Sequence, residues 1–339
     1  MEKNSRKDSL ISVIIPLYNK GPYVARAIES VLKQTIQNFD IIVIDGDSHD
    51  DGPKIVKDLN DSRIHFLVQS AKGVSNARNE AVNFSKNDFV AFLDADDEWM
   101  PKHLETIQRL LEKFPEAGMY STAYTIRTND GKMKQVDYQN IPIAPWEGLL
   151  PDYFKSGALG DYPLWTSVVV IPRKIFHEVG GFPEGYWWAE DADLFGKIAL
   201  KYPVAFSWEL GAIYHWDAEN RACDKIETIG SLDIEDEPFI KTARAALMKR
   251  EVPPKFIESL NEYIARRELG WAERYLYAGK SDKARALLKQ CNTKWFRKEK
   301  KKLWFLVNIR YPLTIFLGDI RSKLYNLIRK IYPSFKNGK

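Results

Sequence analysis

Cysteine is scarce in this sequence, and its scarcity excludes several classes of protein. The chain of 339 residues contains only 2 cysteines, Cys223 and Cys291. Two cysteines so far apart cannot form the disulfide framework of a small secreted domain, and they do not make a set of metal ligands. We therefore expect a chain that folds in a reducing compartment.

Long uninterrupted apolar runs are also missing. The first ten residues, MEKNSRKDSL, lack the apolar core of roughly 7 to 15 residues that a secretory signal needs. The most apolar late stretch, LWFLVNIRYPLTIFLG, is interrupted by Asn308, Arg310 and Pro312, and it falls short of the ~20 apolar residues of a spanning helix. The sequence predicts a cytoplasmic chain without a transmembrane helix.

The remaining composition is that of an ordinary folded protein, with one uneven feature. Hydrophobic residues make up 45% and charged residues 28%, and the length predicts one large domain and a smaller one. The net charge is +4, yet residues 290–339 carry 13 Lys and Arg against 2 Asp and Glu. The positive charge is therefore concentrated at the C-terminal end.

Apolar runs rich in β-branched residues alternate with helical patterns in the first third of the chain. The predicted strands are ISVII (11–15), DIIVID (40–45), RIHFLV (63–68) and DFVAFLD (88–94). Helices are predicted to start near Pro22, Pro53 and Pro101, with a further helix from about Val74. Continuous apolar strands favour a parallel sheet that helices cover on both faces, and such sheets bind ligands at the carboxyl ends of their strands.

Polar loops follow all four predicted strands. They are PLYNKG, DGDSHDDG, SAKGVSNARN and DADDEW, and they should converge on one crevice. Later, TSVVVI predicts a strand and residues 191–200 a helix. From about Lys225 the chain is predicted to be helical, including a helical hairpin joined at Gly279.

Four acidic residues stand close together in FLDADDEW, directly after the fourth strand: Asp94, Asp96, Asp97 and Glu98. An extended segment would place Asp94 and Asp96 on one side and Asp97 elsewhere. Carboxylates this close repel one another unless a cation lies among them, and oxygen ligands favour Mg²⁺, Mn²⁺ or Ca²⁺. A calcium loop would need a glycine where Trp99 stands. A solvated cap on the following helix is the other alternative.

Four motifs in series carry a resemblance to a known family. SVIIPLYNKGPYVARAIESVLKQ, IIVIDGDSHDDG, GVSNARNEA and FLDADDEWMPKHL resemble, in this order and spacing, the family 2 inverting glycosyltransferases of the GT-A fold, over roughly residues 10–225. The resemblance implies an α/β, Rossmann-like, mainly parallel sheet with helices on both faces, followed by a smaller α-helical region. We place the boundary between domains 1–225 and 226–339.

The resemblance also implies roles for individual residues. Those that match donor-binding positions are Pro16, Tyr18, Asn19, Asp45, Asp47, Gly73, Arg78, Asn79, Asp94 and Ala95. Many members have a second Asp where this chain has Gly46, so the choice between uracil and guanine stays open. Asp94 and Asp96 match the DxD-type motif, which with His215 would hold Mg²⁺ or Mn²⁺ at the donor diphosphate. A lone histidine is more often structural, and that alternative stays open for His215.

A second acidic pair, Glu190 and Asp191 in GYWWAEDADLF, matches the family's ED motif on the acceptor side. We predict that both are catalytic and that Asp191 is the general base, because a carboxylate among aromatic side chains loses hydration and gains basicity. An N-terminal helix cap is the alternative. Trp165, Trp187, Trp188 and Trp216 either stack on sugars or pack together.

The expected partners follow from these assignments. They are a UDP- or GDP-sugar donor and a glycan or lipid-linked acceptor. The basic, aromatic segment 290–339 predicts peripheral contact with an anionic membrane, at the inner face of the plasma membrane. No nucleic acid is expected, since no recognition fold accompanies the basic segment. Two other functions stay open: transfer to a polyprenyl phosphate, and a non-catalytic scaffold that binds glycans or nucleotides.

Overall fold

A computed structural model of the chain describes residues 11–186, 188–221 and 233–308. Ten strands form one sheet: β1 (Ile11–Leu17), β2 (Phe39–Asp45), β3 (Ile64–Val68), β4 (Phe89–Phe92), β5 (Glu98–Trp99), β6 (Met119–Arg127), β7 (Met133–Gln135), β8 (Glu147–Leu149), β9 (Val169–Pro172) and β10 (Val204–His215). The helices of the first 201 residues are α1 (Gly21–Leu32), α2 (Gly52–Asp58), α3 (Val74–Phe84), α4 (His103–Lys113), α5 (Tyr153–Leu159), α6 (Arg173–Glu178) and α7 (Glu190–Lys201). The later helices are α8 (Pro238–Met248), α9 (Ile257–Tyr277), α10 (Ser281–Gln290) and α11 (Arg297–Asn308).

The first four predicted strands form a parallel half-sheet in the order β3-β2-β1-β4. The strands β1, β2 and β4 are buried almost throughout, so they need cover on both faces, which crossover helices supply. In α1 the buried side chains recur at helical spacing, and Pro22 lies in the first turn, where a missing N–H costs nothing. The predicted βα alternation is confirmed here.

The other half of the sheet is mixed. β9 lies antiparallel between β4 and β6, and β10 runs parallel to β6 and antiparallel to β5 and β8. The predicted strand TSVVVI starts as a short 3₁₀ turn at Thr166–Val168 and becomes β9 only from Val169. This arrangement brings residues 166–168 next to the end of β4, where the acidic segment begins.

The described residues divide into two compact units. Residues 11–221 together with 235–256 form the first, in which α8 packs against α7. Residues 233–234 and 257–308 form the second, built from α9, α10 and α11. The predicted hairpin is confirmed, with Gly279 between α9 and α10 at a φ of 74°. The predicted boundary near residue 225 lies outside the described residues and stays a prediction.

No helix in the described ranges is long and apolar enough to cross a membrane.

Candidate active site

The loops after β1 and β2 are fastened to each other. The backbone N–H of Asn19 donates to Ser48 Oγ at 2.9 Å, and Asn19 Oδ1 accepts from the N–H of His49 at 2.8 Å. Asp50 accepts from the N–H groups of Gly21 and Gly52, at 2.7 and 3.0 Å. The predicted donor residue Asn19, whose φ is 50°, therefore holds the loop after β2 in place with its side-chain amide and its backbone N–H.

The other donor residues predicted on β1 and β2 differ in exposure. Tyr18 is 55% exposed, Pro16 is half-buried, and Asp47 is exposed at a φ of 69°. Asp45 is buried at the end of β2, and its Oδ1 has no hydrogen-bond partner in the structure. A buried acceptor without a partner is costly, so Asp45 is ready to accept a hydrogen bond from a ligand N–H.

The acidic segment is a turn rather than the extended segment expected from the sequence. The N–H of Asp97 donates to the backbone oxygen of Asp94 at 3.0 Å, and Ala95 is buried in the bend. Asp97 points into the protein, where it accepts hydrogen bonds from Ser167 Oγ, Trp165 Nε1 and the N–H of His215. Burial, reinforced by Asp96 and Asp94, raises the pKa of Asp97 well above its usual value. Asp97 anchors the turn, and Asp94 and Asp96 remain at its surface.

Each of these two surface carboxylates has a cationic partner. Asp94 Oδ1 accepts from the Arg78 guanidinium at 2.7 Å, and Asp96 Oδ2 from the Lys20 ammonium at 2.6 Å. The sequence did not predict a role for Lys20, although Lys20 lies in the polar loop PLYNKG after β1. A lysine in a polar loop gives no local signal of a partner 76 positions away.

One face of α3 holds the segment that leads into α7. Ser75 Oγ donates to the backbone oxygen of Tyr186 at 2.8 Å, and the Asn79 amide exchanges two hydrogen bonds with the backbone of Phe182. Arg78, only 3% exposed, donates to Asp94 and, at 2.8 Å, to Glu190 Oε1. Gly73 starts the helix at a φ of 108°. The predicted donor residue Arg78 therefore joins the two acidic motifs, and Asn79 holds the segment before α7 in place.

The two acids of the ED motif open α7 and have different surroundings. Glu190 is buried, and burial raises its pKa to about 6, although Arg78 opposes the shift and Asp191 adds to it. Asp191 Oδ1 accepts from the N–H of Ala192 at 2.7 Å, and its Oδ2 lies 3.4 Å from Thr166 Oγ1. Thr166 belongs to the same 3₁₀ turn as Ser167, which binds Asp97. Because Ser167 Oγ also accepts from the N–H of Asp94 at 3.1 Å, the predicted donor and acceptor acids come together around residues 166 and 167.

His215 is buried at the end of β10 with a carboxylate at each ring nitrogen. Nδ1 lies 3.0 Å from Asp217 Oδ1, and Nε2 lies 3.2 Å from Glu98 Oε1. These partners are not the predicted Asp94 and Asp96, which pair with Arg78 and Lys20. Over the described ranges, no group of three or more His, Cys, Asp or Glu side chains is placed to hold a metal ion.

Two of the tryptophans predicted on the acceptor side, Trp165 and Trp216, both contact Tyr214. The Trp165 and Tyr214 rings stack with centroids 4.2 Å apart, and Trp216 meets Tyr214 edge-on at 6.1 Å. Trp187 lies outside the described residues. Trp165 also donates to Asp97, so at least part of this cluster has a packing role.

Comparison of the sequence with known proteins identifies its relatives. The model of the family described as Glycosyl transferase family 2 matches residues 12–163. An uncharacterized glycosyltransferase of Nostoc sp. is 35% identical over 226 residues, which cover 63% of this chain and 69% of that protein. The UDP-Glc:alpha-D-GlcNAc-diphosphoundecaprenol beta-1,3-glucosyltransferase WfgD of Escherichia coli is 38% identical over 135 residues, 40% of this chain and 53% of WfgD. The chain thus spans about half the length of WfgD.

Two solved structures share the fold. Residues 1–349 of S. aureus TarS, in complex with UDP-GlcNAc, match with a TM-score of 0.54 at 16% identity, over 88% of this chain and 90% of that one. The mannosyltransferase PcManGT of Pyrobaculum calidifontis, in complex with GDP-Man and Mn²⁺, matches with a TM-score of 0.55 at 15% identity, over 95% and 87%. These likenesses confirm the predicted GT-A fold. The sequence relatives show that the chain belongs to glycosyl transferase family 2.

Proposed function

We propose that this chain transfers a sugar from a nucleotide-sugar donor to a hydroxyl group of a glycan or lipid-linked acceptor, with inversion at the anomeric carbon. The observation that carries this proposal is the double ion pair of Arg78, at 2.7 Å to Asp94 and 2.8 Å to Glu190. One guanidinium links the turn assigned to the donor with the helix start assigned to the acceptor. Donor and acceptor chemistry would therefore take place side by side.

The donor is proposed to be a UDP- or GDP-sugar. Uracil and guanine both carry ring N–H groups, and the unpartnered Oδ1 of Asp45 is an acceptor suited to such a group. Tyr18, which offers an exposed ring, directly follows Leu17, the β1 residue paired with Asp45 on β2. Support also comes from WfgD, whose name includes UDP-Glc, and from TarS and PcManGT, whose structures contain UDP-GlcNAc and GDP-Man.

A divalent cation, Mg²⁺ or Mn²⁺, fits the chemistry of the acidic turn. Asp94 and Asp96 are hard oxygen ligands, and each uses one carboxylate oxygen in its ion pair. Asp94 and Asp96 would hold the cation beside the donor diphosphate. When bound, it would supply positive charge to the leaving diphosphate. PcManGT, with Mn²⁺ beside GDP-Man in its structure, supports this proposal.

The acceptor chemistry is assigned to Asp191. Its carboxylate would accept the proton of the acceptor hydroxyl while that oxygen attacks the anomeric carbon, and the bond between this carbon and the diphosphate oxygen would break. Glu190 is already paired with Arg78, so its role is to fix the start of α7. Thr166, within 3.4 Å of Asp191, would help to orient the base.

A lipid-linked acceptor fits a second feature of the chain. The name of WfgD specifies a diphosphoundecaprenol-linked acceptor. On α11 of this chain, exposed Arg297, Lys298 and Lys301 are followed by exposed Trp304 and Phe305. Basic residues next to aromatic ones on an exposed helix are typical of contact with an anionic membrane surface. We therefore include peripheral membrane contact in the proposal.

The test is release of nucleoside diphosphate from UDP-Glc, UDP-GlcNAc and GDP-Man, with Mn²⁺, with Mg²⁺ and with chelator. We expect release from one donor that requires the metal, that Asp96→Ala abolishes and that an exposed-site control, Asp130→Ala, leaves intact. Asp191→Asn should retain nucleotide binding and lose turnover. If no nucleotide sugar is bound or consumed by the wild type, the proposed function is wrong.

A further inference from the structure

The position of Lys20 is not explained by the proposed function. Its ammonium lies 2.6 Å from Asp96 Oδ2 and donates a second hydrogen bond to the backbone oxygen of Glu219 at 2.8 Å. Both members of the ion pair are largely withdrawn from water, with 12% of the Lys20 side chain and 15% of the Asp96 side chain exposed. The ammonium thus occupies one oxygen of a carboxylate that the proposed function assigns to a metal.

A divalent cation bound at Asp96 would lie close to the Lys20 ammonium. An ammonium group and a divalent cation repel strongly at short range where little water screens them. Lysine carries its charge as a compact group on a flexible four-carbon stem, so the ammonium can leave one partner for another without a change in the backbone. Arg78 differs, because its planar guanidinium is fixed by two carboxylates and by the Phe182 ring.

We propose that Lys20 is a built-in competitor of the metal: its ammonium neutralises Asp96 when no divalent cation is bound, and the cation displaces it. This inference rests on the proposed function, which supplies the metal-binding role of Asp96. The pair keeps a half-buried carboxylate compensated in the absence of donor, when an unpaired charge would be costly. It also weakens metal binding, because linkage requires that two ligands competing for one site lower each other's affinity.

The first measurement is the affinity for Mn²⁺ alone, from the electron paramagnetic resonance signal of the free ion. We compare the wild type with Lys20→Met and with Lys33→Met. Lys33 follows the last residue of α1, pairs with Glu29 and is 71% exposed, so its substitution makes the same change in net charge away from the site. We expect the Lys20→Met dissociation constant to fall about tenfold, and that of Lys33→Met to stay within about twofold because exposed charges are screened.

A second measurement separates displacement from a general effect of charge. The wild type is treated with an amine-acetylating reagent with and without Mn²⁺, and acetylation of Lys20 is quantified by peptide mass spectrometry. Displacement should raise the labelling of Lys20, while that of Lys33 stays constant. If Mn²⁺ binds and the labelling of Lys20 does not rise, the competition is refuted.

The outcomes also distinguish the inference from the function on which it rests. Equal Mn²⁺ affinity in all three proteins overturns the role of Lys20 and leaves the proposed function intact. Absence of Mn²⁺ binding from all three proteins overturns the metal assignment and the competition together. Nucleoside diphosphate release, which is measured independently, then decides whether sugar transfer survives without a metal.

Discussion

At the scale of single residues, Arg78 is the group on which the buried Glu190 and the partly exposed Asp94 both depend. It is 3% exposed, and its guanidinium contacts Asp94 and Glu190 while it stacks over the Phe182 ring at 5.1 Å. Bringing three charges out of water is expensive, and the cost is recovered only while all three are present. The net stabilisation from such a cluster is small, but removal of one member leaves the others uncompensated.

This cluster gives the first prediction. Arg78→Met should lower the free energy of unfolding by about 3–5 kcal/mol, because it leaves the carboxylates of Asp94 and Glu190 without their partner. Urea denaturation followed by circular dichroism measures the loss. Arg63→Met is the matched control: Arg63 pairs with Asp61 near the surface, with 28% of its side chain exposed, and should cost much less. Equal losses of unfolding free energy in the two variants would show that the Arg78 cluster contributes no more to stability than a surface ion pair.

A second residue, His103, makes the stability depend on pH. Its ring is buried, Nδ1 lies 3.1 Å from Thr122 Oγ1, and Nε2 has no partner in the structure. Burial lowers the pKa of His103 from 6.5 to about 3. Because the folded pKa is depressed, the unfolded chain binds the proton first as the pH falls. The stabilisation is fully present above pH 6.5 and is lost between that value and about 3.

We therefore expect His103→Gln to flatten the dependence of stability on pH. Below the pKa of the unfolded chain, a histidine held neutral contributes a slope of about 1.4 kcal/mol per pH unit. The measurement is the urea midpoint at several pH values from 7.5 downward. His65→Gln is the control for the replacement of a histidine outside the core, since 43% of that ring is exposed. An unchanged slope in His103→Gln would contradict the assignment.

At the scale of elements, α7 carries both acceptor-side acids, and its placement depends on close packing against α8. A methyl group added at Gly196 would come within 2.0 Å of a Phe239 ring carbon. Phe239 is fully buried on α8, and its ring stacks with that of Phe154 at 6.2 Å between centroids. The Phe239 ring therefore cannot move away from an added methyl group. The absence of a side chain at Gly196 is what allows the two helices to approach.

The same substitution in two helices should have opposite effects. Gly196→Ala should cost about 1–3 kcal/mol through overpacking, and it should lower transfer activity because α7 shifts with its acids. Gly270→Ala in α9 meets no atom within 4 Å, so it should stabilise the protein by about 0.5–1 kcal/mol through reduced backbone entropy. Thermal unfolding measures both, and activity should change only in Gly196→Ala. A neutral Gly196→Ala would show that α7 and α8 pack less rigidly than proposed.

The elements also show what the sequence can and cannot predict. The βα alternation from Ile11 to Phe92 was predictable, because apolar periodicity and proline positions are local signals. The insertion of β9 between β4 and β6 was not, because strand order depends on contacts far apart in sequence. Without β9 in place, nothing indicates that Thr166 and Ser167 lie beside the acidic turn.

The candidate site divides in the same way. Motif spacing was sufficient to predict Asp94, Asp96 and Asp191 as site residues, because a carboxylate can bind a metal ion or accept a proton. The alternation rule did separate Asp97 from Asp94 and Asp96, but it assumes an extended backbone, whereas this segment is a turn that buries Asp97. The partners Lys20 and Arg78 are set by tertiary contacts 76 and 16 positions away, which no local pattern specifies.

At the scale of the whole molecule, the uneven charge becomes the dominant feature. The 13 basic residues against 2 acidic ones in segment 290–339 stand within a chain of net charge +4, so the rest of the chain is net negative. An anionic surface should therefore attract this segment more strongly than the rest of the chain. Within this segment, α11 buries Leu303 and Val307 and exposes Lys301, Trp304 and Phe305 on another side.

The last prediction concerns this exposed side of α11. Trp304 and Phe305 are 37% and 68% exposed, a position suited to the headgroup region, with the lysines near anionic lipid phosphates. Each basic residue near such a surface contributes about 1 kcal/mol, so Lys298→Gln combined with Lys301→Gln should weaken binding to vesicles about 30-fold. Vesicle co-sedimentation with phosphatidylglycerol at low salt measures this, and binding should fall as salt rises.

Two controls make the vesicle measurement decisive. Lys249→Gln combined with Lys255→Gln removes two exposed charges of the same kind outside segment 290–339, and it should leave vesicle binding close to the wild type. Trp304→Ser combined with Phe305→Ser keeps every charge and should also weaken binding, because the rings supply apolar burial that lysine cannot replace. If phosphatidylcholine vesicles bind as well as anionic ones, or if both lysine pairs matter equally, α11 is not the membrane-contacting surface.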